Sequence, residues 1–266
     1  MKRTIVVAIM IVVAVGWMAG GCGRGREGIT MAGSTAFQPF AEKVAERYMS
    51  AHPEVSITVQ GGGSAMGIQA AQSGAAEIGM ADLVKLPPEA AGLREIEVAR
   101  DGIAMIVHPS NPVRGLTLAQ IRFIFNGKLR NWKEVGGEDK PISVVSREAG
   151  SGTRTSFEQI VGEIDLLNDA IIQDSNGTIR ETVANDPGAI GYISHGLLND
   201  RIKAVDVDGS ACTEMAIMSG AYTLVRPIFL LCKPDARPVC VQFLEYMRSN
   251  EAQELIHDNG LIRAGK

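Results

Sequence analysis

The sequence predicts an α/β protein with two lobes, each a mostly parallel sheet flanked by helices. Strand and helix signals alternate along the chain after residue 28, which is the pattern of parallel strands joined by crossover helices. The prolines and the glycine over residues 108–115 interrupt this alternation. The final segment is expected to return to the first unit, which would give two crossings between the lobes.

The first unit is expected to contain five strands and two helices. Residues 28–31 predict a short strand, and apolar side chains at helical spacing predict a helix that ends before Pro53. Alternating Val55, Ile57 and Val59 predict the next strand. A Gly-rich turn then leads to a helix over 64–74, a strand over 77–80 and two strands within 95–109.

The second unit begins with a helix start. Thr117 and Gln120 have the spacing of a capping box. Residues 222–233 predict a long buried strand with two helices after it. Between these segments, strands are predicted over 142–146, 188–194 and 202–207, and helices after Ser151 and near 178–186.

The N-terminus predicts a secretory signal over residues 1–21. Lys2 and Arg3 precede an apolar run, and small residues stand directly before Cys22. This arrangement resembles a bacterial lipoprotein signal, so we expect Cys22 to be lipidated and residues 22–28 to form a tether. The protein would then be a membrane-anchored lipoprotein outside the cytoplasm, in the periplasm or at the cell surface. A retained transmembrane helix is disfavoured because the run is barely long enough to span and ends in glycines.

Composition narrows the class of ligand. The formal net charge is -4 and 21% of the residues are charged, without the long runs of one sign that favour nucleic-acid or membrane-surface binding. No Cys-x-x-Cys or metal-spaced histidine occurs, so no metal or other cofactor is expected. One disulfide could form among Cys212, Cys232 and Cys240, and the pairing is left open. We expect a monomer.

Three Gly-rich turns share one form. Residues 33–37 (GSTAF), 61–67 (GGGSAMG) and 150–154 (GSGTR) place small and hydroxyl residues between a predicted strand and a predicted helix. The first N–H groups of a helix have no internal partner and carry partial positive charge, which favours anions. Each turn alone is also an ordinary helix cap. Together with Arg147, whose planar cation can bind an oxyanion through paired hydrogen bonds, they predict an anion site.

Competing motifs fail on spacing. Ile68 and Gln69 stand where a P-loop requires Lys and Ser or Thr, and the glycines of 61–67 miss the dinucleotide fingerprint by one position. Neither Ser64 nor Ser151 lies in a G-x-S-x-G elbow. A hydrolase or phosphotransfer enzyme that uses Ser151 stays open as the alternative from another class, and the four histidines are interpreted as structural or surface groups.

Several segments resemble the phosphate-binding proteins of bacterial phosphate ABC importers. They include 33–48 (GSTAFQPFAEKVAERY), 59–68 (VQGGGSAMGI), 144–159 (VVSREAGSGTRTSFEQ) and 185–194 (NDPGAIGYIS). The resemblance runs from about residue 28 to the C-terminus. It implies a hinged periplasmic-binding fold that holds inorganic phosphate and passes it to a membrane permease without catalysis. We place lobe 1 at 29–107 and 227–266, lobe 2 at 108–226, and the hinges near 106–112 and 222–227.

The resemblance also implies site residues. Ser34 and Thr35 match the first phosphate loop of the family, and Ser64 matches the serine of the second. Asp82 matches the aspartate that accepts a hydrogen bond from protonated phosphate. The third group of contacts matches Arg147, Ser151, Gly152 and Thr153. The chain departs from the pattern at Ala149, where some relatives have an acid that holds the arginine. Either Glu148 takes over this work or Arg147 is held less rigidly. Some relatives have a serine where this chain has Asp82.

Asp82 decides which oxyanion is expected. Hydrogen phosphate carries a proton that a carboxylate can accept, whereas sulfate at neutral pH has none. A buried acceptor without a donor, next to a like charge, can reject the wrong ligand by roughly 10⁴-fold. The argument favours phosphate, and another tetrahedral oxyanion such as sulfate or molybdate is the alternative among binding proteins.

Overall fold

The computed structural model describes residues 26–264. The signal over 1–21, Cys22 and residues 23–25 of the tether lie outside the described residues. The first part of the described chain contains these elements in order: β1 (Glu27–Gly33), α1 (Gln38–Ala51), β2 (Val55–Gly61), α2 (Ser64–Ser73), β3 (Ile78–Ala81) and β4 (Arg94–Val107). The remainder contains β5 (Gly115–Leu116), α3 (Leu118–Phe125), β6 (Ser143–Arg147), α4 (Gly152–Val161), β7 (Ile171–Gln173), α5 (Asn176–Asn185), β8 (Ala189–Ser194), β9 (Lys203–Val207), α6 (Glu214–Met218), β10 (Val225–Cys232), α7 (Pro238–Met247), α8 (Asn250–Asp258) and β11 (Ile262–Arg263).

The strands form a mixed sheet with parallel pairing in its outer parts. Its main order is β2-β1-β3-β10-β4-β8-β6-β7. Strands β1, β2 and β3 are parallel, as are β6, β7 and β8, whereas β4 and β10 are antiparallel to each other and to their outer neighbours. The predicted two-lobed α/β class is confirmed, and the antiparallel centre is a feature that the strand-helix alternation did not predict.

Residues 95–109 contain one long strand, not the two that the sequence predicted. In the structure Asp101 lies fully buried inside β4, directly opposite Arg226 of β10, and the two side chains form an ion pair at 2.9 Å. A buried charge is tolerated where it is paired, so the strand continues through it. The short elements β5, β7, β11 and α6 were also not predicted.

Two large groups of buried apolar side chains lie along this sheet. One contains Ala99 of β4 and Ile228 of β10, together with side chains from β1, β3, α1, α7 and α8. The other contains Ile103 of β4, with Val225 of β10 packed against it, and includes side chains from β6, β8, α3, α4 and α5. Strands β4 and β10 therefore each contribute to both cores. The lobe boundaries drawn from the sequence stay a prediction.

Local signals explain several of the helix starts. Thr117 Oγ1 accepts from the Gln120 backbone N–H at 3.1 Å, and Gln120 Oε1 accepts from the Thr117 N–H at 2.9 Å, so the predicted capping box is confirmed. Among residues 26–264, no helix combines the length and the apolar character that a membrane crossing needs. Cys212, Cys232 and Cys240 are buried thiols without a disulfide partner in this part of the chain.

Candidate functional site

The sequence-predicted site residues follow the carboxyl ends of parallel strands. Ser34 comes directly after β1, Ser64 begins α2 shortly after β2, and Asp82 comes directly after β3. Because these three strands are parallel, their carboxyl ends lie at one edge of the sheet, where ligands of open α/β sheets bind. Arg147 ends β6 in the second half of the sheet, and Ser151 follows it before α4.

Asp82 is contacted by side chains from both halves of the chain. Its side chain is 2% exposed. Ser64 Oγ donates to Asp82 Oδ1 at 2.6 Å, and the Asp82 backbone N–H donates to Ser64 Oγ at 3.1 Å. Thr153 Oγ1 donates to Asp82 Oδ2 at 3.1 Å. A carboxylate from one half is thus held by hydroxyl donors from both halves.

The first turn of α4 approaches this carboxylate closely because Gly152 has no side chain. A Cβ atom at that position would lie 2.1 Å from Ser64 Oγ and 2.6 Å from Asp82 Oδ1. Ser151 is the helix cap, and its Oγ accepts from the Arg154 N–H at 3.2 Å. The N–H groups of Gly152 and Thr153 lie in the first turn, where no intrahelical acceptor exists. They are therefore suited to an anion beside Asp82.

Arg147 is held by Glu148. The arginine side chain is only 1% exposed. Its Nε and Nη2 donate to Glu148 Oε2 and Oε1, both at 2.8 Å, and Nη2 also donates to the Asp174 carbonyl at 3.0 Å. This bidentate pairing resolves the alternative raised by Ala149, because the neighbouring glutamate fixes the guanidinium. Nη1 takes no part in the pairing.

The loop after β1 contacts the start of α5 from the other half of the chain. Ser34 is fully buried and its Oγ accepts from the Phe37 N–H at 3.1 Å. Thr35 is partly buried, and its Oγ1 accepts from Asn176 Nδ2 at 3.2 Å. The structure therefore brings Ser64, Asp82, Gly152 and Thr153 into direct contact. Ser34, Thr35, Ser151 and Arg147 contact other groups around them.

Sequence reasoning missed Arg226. This side chain is fully buried, with Nη1 2.6 Å from Asp82 Oδ2 and Nη2 2.9 Å from Asp101 Oδ2. Asp101 Oδ1 in turn accepts from Ser194 Oγ at 2.9 Å and from the His195 N–H at 3.2 Å. Burial raises the pKa of Asp101, and the Arg226 guanidinium opposes that rise. The sequence does contain a signal for this residue, because Arg226 stands inside an apolar segment that predicts a buried strand. A charge buried in such a strand requires a partner of opposite charge.

The hydrogen bonds of Ser64 and Ser151 bear on the alternative of a serine nucleophile. Ser64 donates to Asp82, and Ser151 accepts from Arg154. The histidine side chains contact other groups, namely Glu54 for His52, Ser110 for His108, the Gly260 carbonyl for His195 and Glu214 for His257. Within residues 26–264, no histidine is hydrogen-bonded to Ser64 or Ser151, so neither hydroxyl has an adjacent imidazole base.

Comparisons with known proteins identify relatives over most of the chain. The family model of the PBP superfamily domain matches residues 21–251. The phosphate-binding protein PstS of Bacillus subtilis is 31% identical over 284 residues, which cover 98% of this chain and 95% of that protein. The PstS protein of Borreliella burgdorferi is 26% identical, with 88% of this chain and 89% of that protein covered.

Two solved structures are similar over most of the chain. A crystal structure with bound phosphate, of a phosphate ABC transporter substrate-binding protein from Clostridium perfringens, is 40% identical with a TM-score of 0.88 and covers 90% of this chain and 100% of that one. An ABC-type phosphate transport receptor from Vibrio cholerae is 35% identical with a TM-score of 0.75, covering 89% of this chain and 100% of that one.

Proposed function

The chain belongs to the PBP superfamily, in the family of the PstS phosphate-binding proteins, and we propose that it captures inorganic phosphate between two lobes and delivers it to an ABC importer in the membrane. It acts as a binding protein rather than an enzyme. The similar proteins of known structure, one of them with bound phosphate, support this function.

The observation that carries the proposal is the arrangement around Asp82. One buried carboxylate lies among hydroxyl donors and beside the first turn of α4. An anion site needs donors, and a site for a protonated anion also needs one acceptor. Hydrogen phosphate fits such a mixed set because it accepts from the hydroxyl, amide and guanidinium groups and donates its proton to Asp82. Arg147, Ser34, Thr35 and Ser151 are proposed as further phosphate contacts.

Asp82 has an acceptor position available for this proton. An ionised carboxylate has about four lone-pair positions. Thr153 and Arg226 both approach Oδ2, whereas Ser64 is the side-chain donor to Oδ1. A further acceptor position therefore remains on Oδ1. A ligand without a proton, such as sulfate, would leave that position unpaired against a like charge.

Titration calorimetry of ligand-free protein tests the proposal. Phosphate and its close analogue arsenate should bind, whereas sulfate and molybdate should bind far more weakly, by roughly 10⁴-fold for a site built around a missing hydrogen bond. Equal affinity for sulfate would contradict the selectivity that we assign to Asp82. Hydrolysis of a phosphate ester by the purified protein, abolished by Ser151→Ala, would favour the enzyme alternative.

The organisation drawn from the sequence completes the proposal. Lobe 1 comprises residues 29–107 and 227–266, and lobe 2 comprises 108–226. The mature protein begins at Cys22, whose lipid anchors it outside the cytoplasm through the tether. The small residues before Cys22 support this anchor.

A change at Cys22 tests the anchor. Cys22→Ser should release the protein from the membrane fraction and leave phosphate affinity unchanged, because the tether precedes both lobes. Cell fractionation measures whether the protein is in the membrane fraction, and mass spectrometry of the N-terminus measures whether residue 22 carries a lipid. A mature protein that begins elsewhere and carries no lipid would contradict the proposed localisation.

A further inference from the structure

We propose that Arg226 is a positioning residue of the oxyanion site, which orients the Asp82 carboxylate and thereby contributes to the choice of phosphate over sulfate. The proposal rests on the proposed function, since it assigns a second residue to the selectivity of the same site. Arg226 acts through Asp82 rather than through a contact with the ligand.

The position of Arg226 is set by the backbone. In the antiparallel pairing of β10 with β4, Arg226 lies directly opposite Asp101. Asp101 is itself held by Ser194 Oγ and by the His195 N–H. Nη2 of Arg226 therefore contacts a carboxylate whose orientation is fixed by two hydrogen bonds. Nη1 reaches Asp82 Oδ2 at 2.6 Å.

A purely structural ion pair would need only Asp101. Arg226 instead bridges two carboxylates, and one of them is the proposed ligand acceptor at the end of β3. Its Nε and Nη1 have no well-directed hydrogen bond among the described residues, so the 2.6 Å contact with Asp82 is an ionic contact. A buried cation is costly without counter-charges, and Asp82 supplies a second one beside Asp101.

The bridge also affects the charge that an anion meets. Asp82, Asp101 and Glu148 carry negative charge close to the proposed site, and Arg147 and Arg226 are the buried guanidinium groups that oppose them. Arg147 is paired with Glu148, whereas the guanidinium at ion-pair distance from Asp82 is that of Arg226, which Asp82 shares with Asp101. Without Arg226, an incoming phosphate would meet an uncompensated buried carboxylate, whose repulsion at short range is strong.

The contact with Arg226 also fixes the orientation of the Asp82 carboxylate. Arg226 and Thr153 both hold Oδ2, and Ser64 holds Oδ1. These contacts fix the plane of the carboxylate and leave its remaining acceptor position on Oδ1. Loss of the Arg226 contact would let the carboxylate rotate. The free acceptor position on Oδ1 would then no longer be directed at the ligand, and an anion without a proton would be rejected less strongly.

A double-mutant cycle between Arg226 and Asp82 tests the inference. Calorimetry on the full chain measures the ratio of phosphate to sulfate affinity in the parent, Arg226→Gln, Asp82→Asn and the double variant. We expect Arg226→Gln to narrow the ratio by about tenfold, within the range for groups in direct contact. In the Asp82→Asn background the same change should alter the ratio by less than about threefold. Arg226→Lys, which keeps the charge but cannot bridge both acids, should be intermediate.

Two further variants separate this role from a loss of folding. Arg122→Gln is the matched control, because Arg122 is a partly buried arginine that contacts Glu163 and the Val161 carbonyl in the second core. It should keep the parent ratio. If Arg226→Gln does not fold, Asp101→Asn loosens the same guanidinium and should narrow the ratio in the same direction.

The outcomes are distinct. A parent protein that fails to bind phosphate overturns the proposed function, and the inference with it. A phosphate-binding parent for which Arg226→Gln keeps the parent ratio overturns the inference alone. An equal effect of Arg226→Gln with and without Asp82 also overturns it, because Arg226 would then act independently of the carboxylate.

Discussion

At the scale of single residues, the proposed site is built from charges that neighbours hold in place. Arg147 is buried but paired with the adjacent Glu148 through two contacts of 2.8 Å. The pairing costs side-chain entropy in advance, so less is lost when a ligand binds. Asp82 is likewise fixed by Ser64, Thr153 and Arg226. Preorganised groups of this kind favour tight and selective binding.

Arg147→Ala is expected to weaken phosphate binding by about 2 kcal/mol or more, because it removes charge-assisted hydrogen bonds. Arg147→Lys should recover only part of this loss, since a single amine lacks the planar fork. Calorimetry measures both variants, with Arg130→Ala as control because Arg130 forms an exposed ion pair with Asp169. An alanine variant with the parent affinity would make Arg147 a structural residue.

His257 should make stability depend on pH. Its hydrogen bond to Glu214 at 2.8 Å raises the pKa of the imidazole, with Asp258 adding to the effect and burial and Arg263 opposing it. Because the folded-state pKa lies above the unfolded value of about 6.5, the contribution is fully present below that value and is lost as pH rises through the folded pKa.

The stability difference between the parent and His257→Gln should therefore be largest near pH 5.5 and fade towards alkaline pH. Thermal unfolding across this range measures it. His108→Gln is the control, because His108 contacts Ser110 rather than a carboxylate. A difference that stays constant with pH would show that the ion pair with Glu214 does not contribute.

At the scale of elements, the site depends on how one helix end meets the other half of the chain. Helix α4 begins at Gly152, beside Ser64 and Asp82. The Ala65 N–H, in the first turn of α2, donates to the Gly150 carbonyl at 3.1 Å. Two helix N-termini therefore converge on one edge of the sheet. This convergence directs the partial positive charge of both helix N-termini to a common volume.

Gly152→Ala should block this approach. The added Cβ would lie 2.1 Å from Ser64 Oγ, which is too close for any side chain. Phosphate affinity should fall by about 5- to 150-fold, because the cost of overpacking is about 1 to 3 kcal/mol. Gly150→Ala is a matched control two residues away, since its Cβ would meet Ala65 Cβ at an ordinary 3.6 Å. Parent-like binding by Gly152→Ala would show that α4 does not need this proximity.

At the scale of the whole molecule, two cores share the strands β4 and β10. Both strands contribute side chains to both cores. Asp101 of β4 and Arg226 of β10 lie opposite each other in the pairing of these strands. Side chains from the two halves of the chain also touch, as Thr35 does with Asn176 and Asp82 with Thr153. A ligand that contacts both halves would favour the arrangement in which they touch over one in which they are apart.

Small-angle scattering should show a smaller radius of gyration with saturating phosphate than without it. The reason is the difference in ligand affinity between closed and open states. Gly152→Ala should stay expanded under the same phosphate concentration, because its added methyl group opposes closure. Superimposable curves for the parent, together with calorimetric evidence of saturation, would mean that the site is preformed or lies within one lobe.

The sequence alone determined the class of fold and most of the proposed site. Apolar periodicity predicted the main helices and strands, and capping residues such as Thr117 marked their starts, because these signals act over a few neighbouring residues. The Gly-Ser-Gly-Thr run after Arg147 likewise predicted an anion-binding helix end from local chemistry. The family resemblance added Asp82, although its role as a ligand contact is still a prediction.

Only the tertiary structure decided how the buried charges are paired. Arg226 and Asp101 are 125 positions apart in the chain, and their contact depends on the register of two antiparallel strands that the strand-helix alternation did not predict. The same pairing explains why β4 runs unbroken past Asp101, although two strands were predicted within 95–109. Local patterns encode periodicity and caps, whereas the partner of a buried charge is set by strand register, which no short stretch of sequence contains.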